Sequence, residues 1–295
     1  MNTRSNAISK LCLMLGCLLS LHAAAAPAEP LKVVAAENFY GDIARQIGGD
    51  HVTVTDILSD PNQDPHLFEA SPSVARALAE ADMVIYSGLD YDPWVAKLLG
   101  SGSSGRQLIK VADLTGSKAG ANPHIWYDPD TMIGLARELA SAFKSRDPGH
   151  GAEYDERLSR FLDDMHPLQK QISDLKARYH GLPVTATEPV FGYMAQALGF
   201  DMRNSGFQLA MMNDTEPSPS QVADFEDDLR GHKVKVLFYN SQVTDATTER
   251  LEELAKSSSI PVVGVSETEP RGKTYQQWMN DQLQALAKAL RTSAQ

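Results

Sequence analysis

The chain has 295 residues, 42% of them hydrophobic, and 38 acidic side chains against 27 basic ones give it a formal charge of −11. Its length suggests about two domains of ~150 residues each, and the apolar share is enough for real cores. The acidic balance argues against nucleic-acid binding, because that affinity rests on neutralising phosphates with Lys and Arg.

Residues 1–26 read as a secretory signal. Arg4 and Lys10 make a basic start, Leu11–Leu21 is a short apolar run, and Ala24-Ala25-Ala26 offers a small-residue cleavage site. Removing Arg4 and Lys10, and no acid, leaves 25 basic against 38 acidic residues, a charge of −13. Both cysteines, Cys12 and Cys17, fall in this segment. Cys17 as a lipid acceptor fits poorly, because it sits inside the apolar run. The mature chain then has no thiol, and any metal site must be built from His, Asp, Glu and water. No later stretch offers the ~18 consecutive apolar residues of a spanning helix.

From Leu31 onward short β-rich runs alternate with helical ones. Strands are expected at Leu31–Ala35, His51–Leu58, Met83–Tyr86 and Leu108–Val111. Helices are expected at Tyr40–Ile47, from Ser71-Pro72, at Pro93–Leu99 and at Asp130–Phe143, with a flexible Ser101–Gly105 loop. Ser-Pro is a helix start, with Ser as cap and Pro at the first helical position. Next, Tyr154, Leu158, Phe161, Met165, Leu168, Ile172, Leu175 and Tyr179 form an apolar stripe with helical spacing. A helix over Pro148–His180 would span ~48 Å at 1.5 Å per residue, with Pro167 expected to kink or break it. That is too long for a crossover and suits a strut joining two lobes. A coiled-coil dimer is the alternative, weakened by few flanking charges. Beyond Gly181 come strands at Val184–Thr187, Phe200–Arg203, Val234–Tyr239 and Ile260–Val265. The helices of this half are Phe191–Leu198, one starting at Ser218-Pro219, Thr247–Lys256 and Tyr275–Leu290. Alternation of this kind implies βα units and parallel sheets.

An internal repeat sharpens this. Glu69-Ala70-Ser71-Pro72-Ser73, a helix and Met83-Val84-Ile85-Tyr86 parallel Glu216-Pro217-Ser218-Pro219-Ser220, a helix and Val236-Leu237-Phe238-Tyr239. The fold class is therefore α/β: two Rossmann-like lobes, 27–147 and 181–295, joined by one long rigid helix, 148–180, with a ligand cleft between them. Ligands of open α/β sheets sit off the carboxyl ends of strands.

Two Pro-His loops stand at such ends, Asp64-Pro65-His66-Leu67-Phe68 and Asn122-Pro123-His124-Ile125-Trp126-Tyr127-Asp128-Pro129. Proline stiffens each loop, a good platform for a ligating imidazole. In the second lobe, Glu188 and Glu267 follow strands at comparable places. Two imidazoles and two carboxylates are a common set for a first-row divalent metal. The bland readings are a loop histidine bonded to backbone and a surface acid. They apply to His51, His150, His166, His180 and His232, which have no such context. Asp128 reads as a cap, and Trp126 and Phe68 as packing.

These motifs, with Phe191-Gly192-Tyr193, Glu216-Pro217-Ser218-Pro219 and Tyr275-Gln276-Gln277-Trp278-Met279, make the chain resemble the periplasmic zinc- and manganese-binding proteins of ABC importers. The resemblance covers essentially the whole mature chain. It implies two α/β lobes on a rigid helix, periplasmic capture of one divalent transition metal ion (Zn²⁺ or Mn²⁺), and delivery to an ABC-type permease. It places the ligands at His66, His124, Glu188 (three before Phe191) and an acid after the last strand, Glu267, with Glu269 as rival. Zinc-type members usually carry His at the third position and manganese-type members Glu, and the fourth is usually Asp. The His-rich loop of many zinc-type members is missing here. Oxygen-rich ligation favours harder ions, although raw affinity still favours Zn²⁺ over Mn²⁺.

Glu69 and Glu216, one on each lobe, are expected either to favour a helix N-terminus or to dock on the permease. A monomer is expected, and metal affinity should fall on acidification as the histidines protonate. Two other function classes remain at this level. A metallohydrolase would need an open coordination position with Glu267 as base, and an adhesin would need an adhesive surface that no residue marks.

Overall fold

The computed structural model describes residues 29–292, apart from 63–64, 101–104, 244 and the side chains of His66 and Thr292. The signal segment 1–26 and most of the Ser101–Gly105 loop lie outside the described residues. The first half runs β1 (Leu31–Glu37), α1 (Asn38–Gly48), β2 (Val52–Leu58), α2 (Pro72–Glu80), β3 (Met83–Tyr86), α3 (Pro93–Leu99), β4 (Gln107–Lys110) and α4 (Pro129–Arg146). Helix α5 (Gly151–Tyr179) follows. The second half runs β5 (Pro183–Ala186), α6 (Gly192–Ala197), β6 (Asp201–Met202), α7 (Ser205–Met212), α8 (Pro219–Arg230), β7 (Leu237–Asn240), α9 (Ala246–Ser257), β8 (Val262–Val265) and α10 (Tyr275–Thr292).

Each half builds a four-stranded sheet, ordered β2-β1-β3-β4 and β6-β5-β7-β8. All pairings are parallel. The identical order gives the sequence repeat a structural meaning, since α2 precedes β3 as α8 precedes β7. Both helices open on the expected Ser-Pro. Ser71 Oγ accepts from Val74 N at 3.4 Å, and Ser218 forms a full capping box with Gln221. In each sheet the strand order reverses beside the first strand of its half, so the carboxyl ends of β1/β3 and β5/β7 flank the crevices where ligands sit.

Helix α5 spans ~43 Å at 1.5 Å per residue and packs against α1, α4 and α10, touching both lobes. Its stripe faces the core: Tyr154, Phe161, Met165, Leu168 and Leu175 are buried, and Leu158, Ile172 and Tyr179 pack against them. It begins later than expected because Pro148–His150 forms a 3-10 turn. Pro167 lies inside a continuous helix, so the expected break does not occur. Pro167 and Asp163 are on the exposed face, where water can serve the carbonyl that the proline leaves without a partner.

The lobes share one core. A single buried cluster holds Phe39, Ile85 and Trp126 of the first half together with Phe191, Phe238 and Trp278 of the second. Rings step across it: Phe39 stacks on Trp126 at 4.6 Å, Tyr127 meets Phe191 edge-on at 5.7 Å, and Phe191 stacks on Phe238 at 4.3 Å. The outer sheet faces carry separate small cores, Val34, Leu78 and Val84 on one side and Phe225, Leu237 and Leu251 on the other. One element was missed, α7. Its Gly206 lowers helix propensity, and among its side chains only Phe207 and Gln208 are buried, so no stripe marks it.

Candidate metal centre

His124 stands at the entrance of the 3-10 turn Ile125–Tyr127 and is fully buried. Trp126 and Tyr127 behind it are also fully buried, which anchors the loop. Asn122 orients the ring. Its Oδ1 accepts from His124 Nδ1 at 2.6 Å and from His124 N at 3.1 Å. Asn122 is itself held from the other lobe, because its Nδ2 donates to Pro189 O at 2.7 Å and Tyr193 OH donates to its carbonyl at 2.8 Å. With its Nδ1 proton engaged, the imidazole presents the Nε2 lone pair outward, the tautomer a metal needs.

That nitrogen faces Glu267, which follows β8. His124 Nε2 lies 3.3 Å from Glu267 Oε2, with both side chains essentially inaccessible to solvent. Tyr91 OH donates to the same oxygen at 2.9 Å. Burial, then the nearby Glu267 and Glu37 carboxylates, push the Tyr91 phenol up, so it stays a donor. Asn240, at the end of β7, joins the two carboxylates of the second lobe. Its Nδ2 donates to Glu267 Oε1 at 2.6 Å and to Glu188 Oε2 at 2.5 Å. Gln242 Oε1 receives the Glu267 amide at 2.6 Å. His124 of the first lobe thus meets Glu267 of the second, and Asn240 bridges Glu267 to Glu188, each residue coming after a strand of its lobe. His66 lies in the 3-10 turn Pro65–Leu67, and its side chain is outside the described residues.

Residues 33–289 match the family described as ZnuA, zinc-uptake complex component A, periplasmic. The chain belongs to the ZnuA family. The manganese ABC transporter substrate-binding lipoprotein PsaA of Streptococcus mitis is 25% identical over 291 residues, 90% of this chain and 91% of that protein. The manganese-binding lipoprotein MntA of Bacillus subtilis is 25% identical over 283 residues, 89% of this chain and 90% of its own. Among solved structures, the periplasmic zinc-binding protein TroA of Treponema pallidum superposes with a TM-score of 0.75 at 19% identity, covering 89% of this chain and 99% of that one. A Cd-bound periplasmic metal-binding protein from Candidatus Liberibacter asiaticus gives 0.70 at 21% identity, over 88% and 99%. The ZnuA-family fold of two α/β lobes on a long helix is the one described above. A family of importer substrate-binding components is not one of enzymes, and neither a hydrolase nor an adhesin reading finds support.

Within this ZnuA-family chain, Glu269 points elsewhere than Glu267. It lines a separate interlobe cavity with Asn38, Asp42, Arg45 and Asp56. Burial, then the Asp42 and Asp56 carboxylates, push its carboxyl up to about 9. Its backbone ties the lobes through Asn38, at 3.1 Å from its N–H and 2.8 Å to its carbonyl. Behind Tyr91, Glu37 at the end of β1 is buried beside Asp92, and burial, then Asp92, raise it far above the usual carboxylate range. Asp92 is pushed up to about 6 by burial, against the bonds it accepts from Ser87 and Gly88 amides at 2.5 and 2.9 Å.

Asp128 does cap α4, accepting from Asp130 N at 3.2 Å and Thr131 Oγ1 at 2.7 Å. Glu69 and Glu216 are exposed, each two residues before the Ser cap of its helix. Sequence reasoning missed Asn122, Asn240 and Tyr91 as supports of the centre. Asn240 carried a usable signal, since it ends β7 while Glu188 and Glu267 lie two residues beyond the ends of β5 and β8. The search for imidazoles and carboxylates passed over an amide.

Proposed function

We propose that this chain captures one divalent transition metal ion outside the cytoplasm through His66, His124, Glu188 and Glu267 and hands it to an ABC-type permease. The observation that carries the reading is the His124–Glu267 pair. Donors on a tetrahedral ion at ~2.0–2.1 Å stand ~3.3 Å apart, and Nε2 and Oε2 of these residues are 3.3 Å apart across the lobes. Each is also oriented by its own partner, Asn122 or Tyr91, as ligating groups are.

Two nitrogens with two carboxylates suit Zn²⁺ and Mn²⁺ alike, and the relatives' names divide in the same way: manganese for PsaA and MntA, zinc for TroA. Glu188 in place of a third imidazole moves the set toward the harder ion. The division into lobes 27–147 and 181–295 with the connector 148–180 suits this role, as does export by a signal cleaved after residue 26. The shared core and α5 favour a small tilt over a wide hinge on loading, so X-ray scattering with and without Zn²⁺ should nearly coincide. Glu69 and Glu216 serve as one contact per lobe for basic permease residues, in a chain that acts as a monomer. Uptake should fall in a Glu69→Ala/Glu216→Ala variant that binds metal normally, and undiminished uptake sinks that part.

Calorimetry with Zn²⁺ and Mn²⁺ tests the centre. His124→Ala and Glu267→Ala should each weaken the tight event at least ~100-fold. A tight event unchanged in both variants overturns the assignment. Saturating metal should also raise the unfolding free energy by ~2.7 kcal/mol at a hundredfold excess over Kd in the parent chain, and by far less in either variant.

A further inference from the structure

A second group of potential metal ligands lies far from the cleft, where α4 passes into α5. His51 ends the 3-10 turn Gly49–His51 at the amino end of β2, opposite to the carboxyl ends that carry the centre above. Asp147 closes α4, and His150 ends the turn that leads into α5. Some hundred residues of chain separate His51 from the other two, yet one donor atom from each lies within 4.8 Å of the others. The two imidazoles stack at 3.9 Å between centroids, with 23° between planes.

Both rings are already oriented by carboxylates. His150 Nδ1 is 2.7 Å from Asp147 Oδ2, and His51 Nε2 is 2.9 Å from Glu153 Oε2. Tyr154 OH fixes Asp147 through a 2.7 Å bond to the same Oδ2, and its ring meets that of His51 edge to face with centroids 5.6 Å apart. Arg157 at 3.2 Å engages Glu153, which leaves Glu153 better suited to orient His51 than to ligate. The Glu153 carboxylate behind His51 is the pattern that raises ligand basicity and fixes the tautomer in metal sites, while Asp147, beside His150 Nδ1, is placed to share an ion with it.

We propose that His51, Asp147 and His150 form a second, peripheral divalent-cation site, with water completing the coordination. Two imidazoles and one carboxylate suit borderline ions, Zn²⁺, Cu²⁺ and Ni²⁺, over Mn²⁺ and Mg²⁺. Ligation asks for local movement. Lone pairs lie in the ring planes, so one ring must turn out of the stack, and donors must close to ~3.3 Å. The side chains have room for this, being 21% (His51), 21% (Asp147) and 41% (His150) exposed. A bound ion would tie the turn before β2 to the start of the connecting helix. It is not the transported ion, and it leaves the one-ion cargo of the cleft unchanged.

The test titrates the mature chain with Zn²⁺ alone. A second, weaker event is expected after the cleft site saturates. His51→Ala/His150→Ala should weaken it at least ~10-fold while leaving the first event in place. In a His124→Ala background, the electron paramagnetic resonance of bound Cu²⁺ should show two nitrogen ligands, and His51→Ala should reduce them to one. If the double variant folds poorly, sub-stoichiometric Cu²⁺ added to the His124→Ala chain should selectively broaden the His51 and His150 imidazole NMR signals. No second event in the parent chain, a second event indifferent to the double variant, or unbroadened His51 and His150 signals overturns the proposal. Failure of the cleft assignment would show separately, as a tight event indifferent to His124→Ala.

Discussion

The two Pro-His loops share a sequence pattern and diverge in structure. In the loop around His66 the 3-10 turn covers Pro65–Leu67, with the histidine inside it. In the loop around His124 the turn covers Ile125–Tyr127, and the histidine stands just before it. Leu67 is 71% exposed, whereas its counterpart Ile125 is 1% exposed. Among the described residues Phe68 meets the half-buried Trp94, at 5.0 Å, while Trp126 is fully buried against Phe39. Proline is common to both loops, so proline does not account for the difference in anchoring. The second loop is held by the core that both lobes share, and the first rests near the surface.

The largest contrast should appear on truncation of the aromatics. Trp126→Ala should cost ~3–5 kcal/mol in urea unfolding, and Phe68→Ala no more than ~1–1.5 kcal/mol. Equal losses would break the comparison. Next, Asn122→Ala and Asn240→Ala leave every proposed ligand in place but remove its support. Each should weaken Zn²⁺ binding ~10- to 100-fold in calorimetry, the usual cost of losing an outer-shell partner. A loss confined to Asn240→Ala would mean that the His124 loop is held by packing alone.

A smaller effect is expected from the buried acids behind the second loop's partner, Tyr91. The folded chain, by burial and then the Asp92 carboxylate, holds Glu37 far above the usual carboxylate range, so the native state keeps a proton that the unfolded state has released. Stability from that proton is complete below pH ~4.5 and falls as pH rises toward the folded value. Glu37→Gln removes the fall, so its stability relative to the parent should rise from pH 4 to pH 8 in urea unfolding. A gain equal at both pH values would argue for a packing effect. Smallest of all, Leu67→Ala should stay within ~0.5 kcal/mol of the parent, against ~2–4 kcal/mol for Ile125→Ala.

Much of the fold is legible in the sequence because it rests on local signals. The Ser-Pro starts of α2 and α8, the apolar stripe of α5 and the β-rich runs ending at Tyr86 and Val265 each report their own element. The repeat of Glu-x-Ser-Pro-Ser foretold two copies of one α/β lobe, and the two sheets share one strand order. Pro167 does not break α5, because it falls on the exposed face, and which face it occupies is settled by packing. At the centre, His124, Glu188 and Glu267 could be marked as candidates from their places after strands. Which acid meets His124 could not be read, because Glu267 and Glu269 lie two residues apart and only the folded chain turns Glu267 to His124 and Glu269 into a separate cavity. The His51–His150 stack was invisible for a related reason. Nothing near either residue reports a partner so distant in the chain, and only the entry of α5 beside β2 joins them.

One consequence follows from the core that runs unbroken through both halves. A carrier built on a single mechanical body has little freedom to announce its cargo by changing its outline. Laden and unladen forms must then be told apart at short range, by whatever moves at the rim of the cleft. On the ligand set proposed above, the turn that carries His66, with Leu67 turned to solvent beside it, is where a docking permease could read the difference.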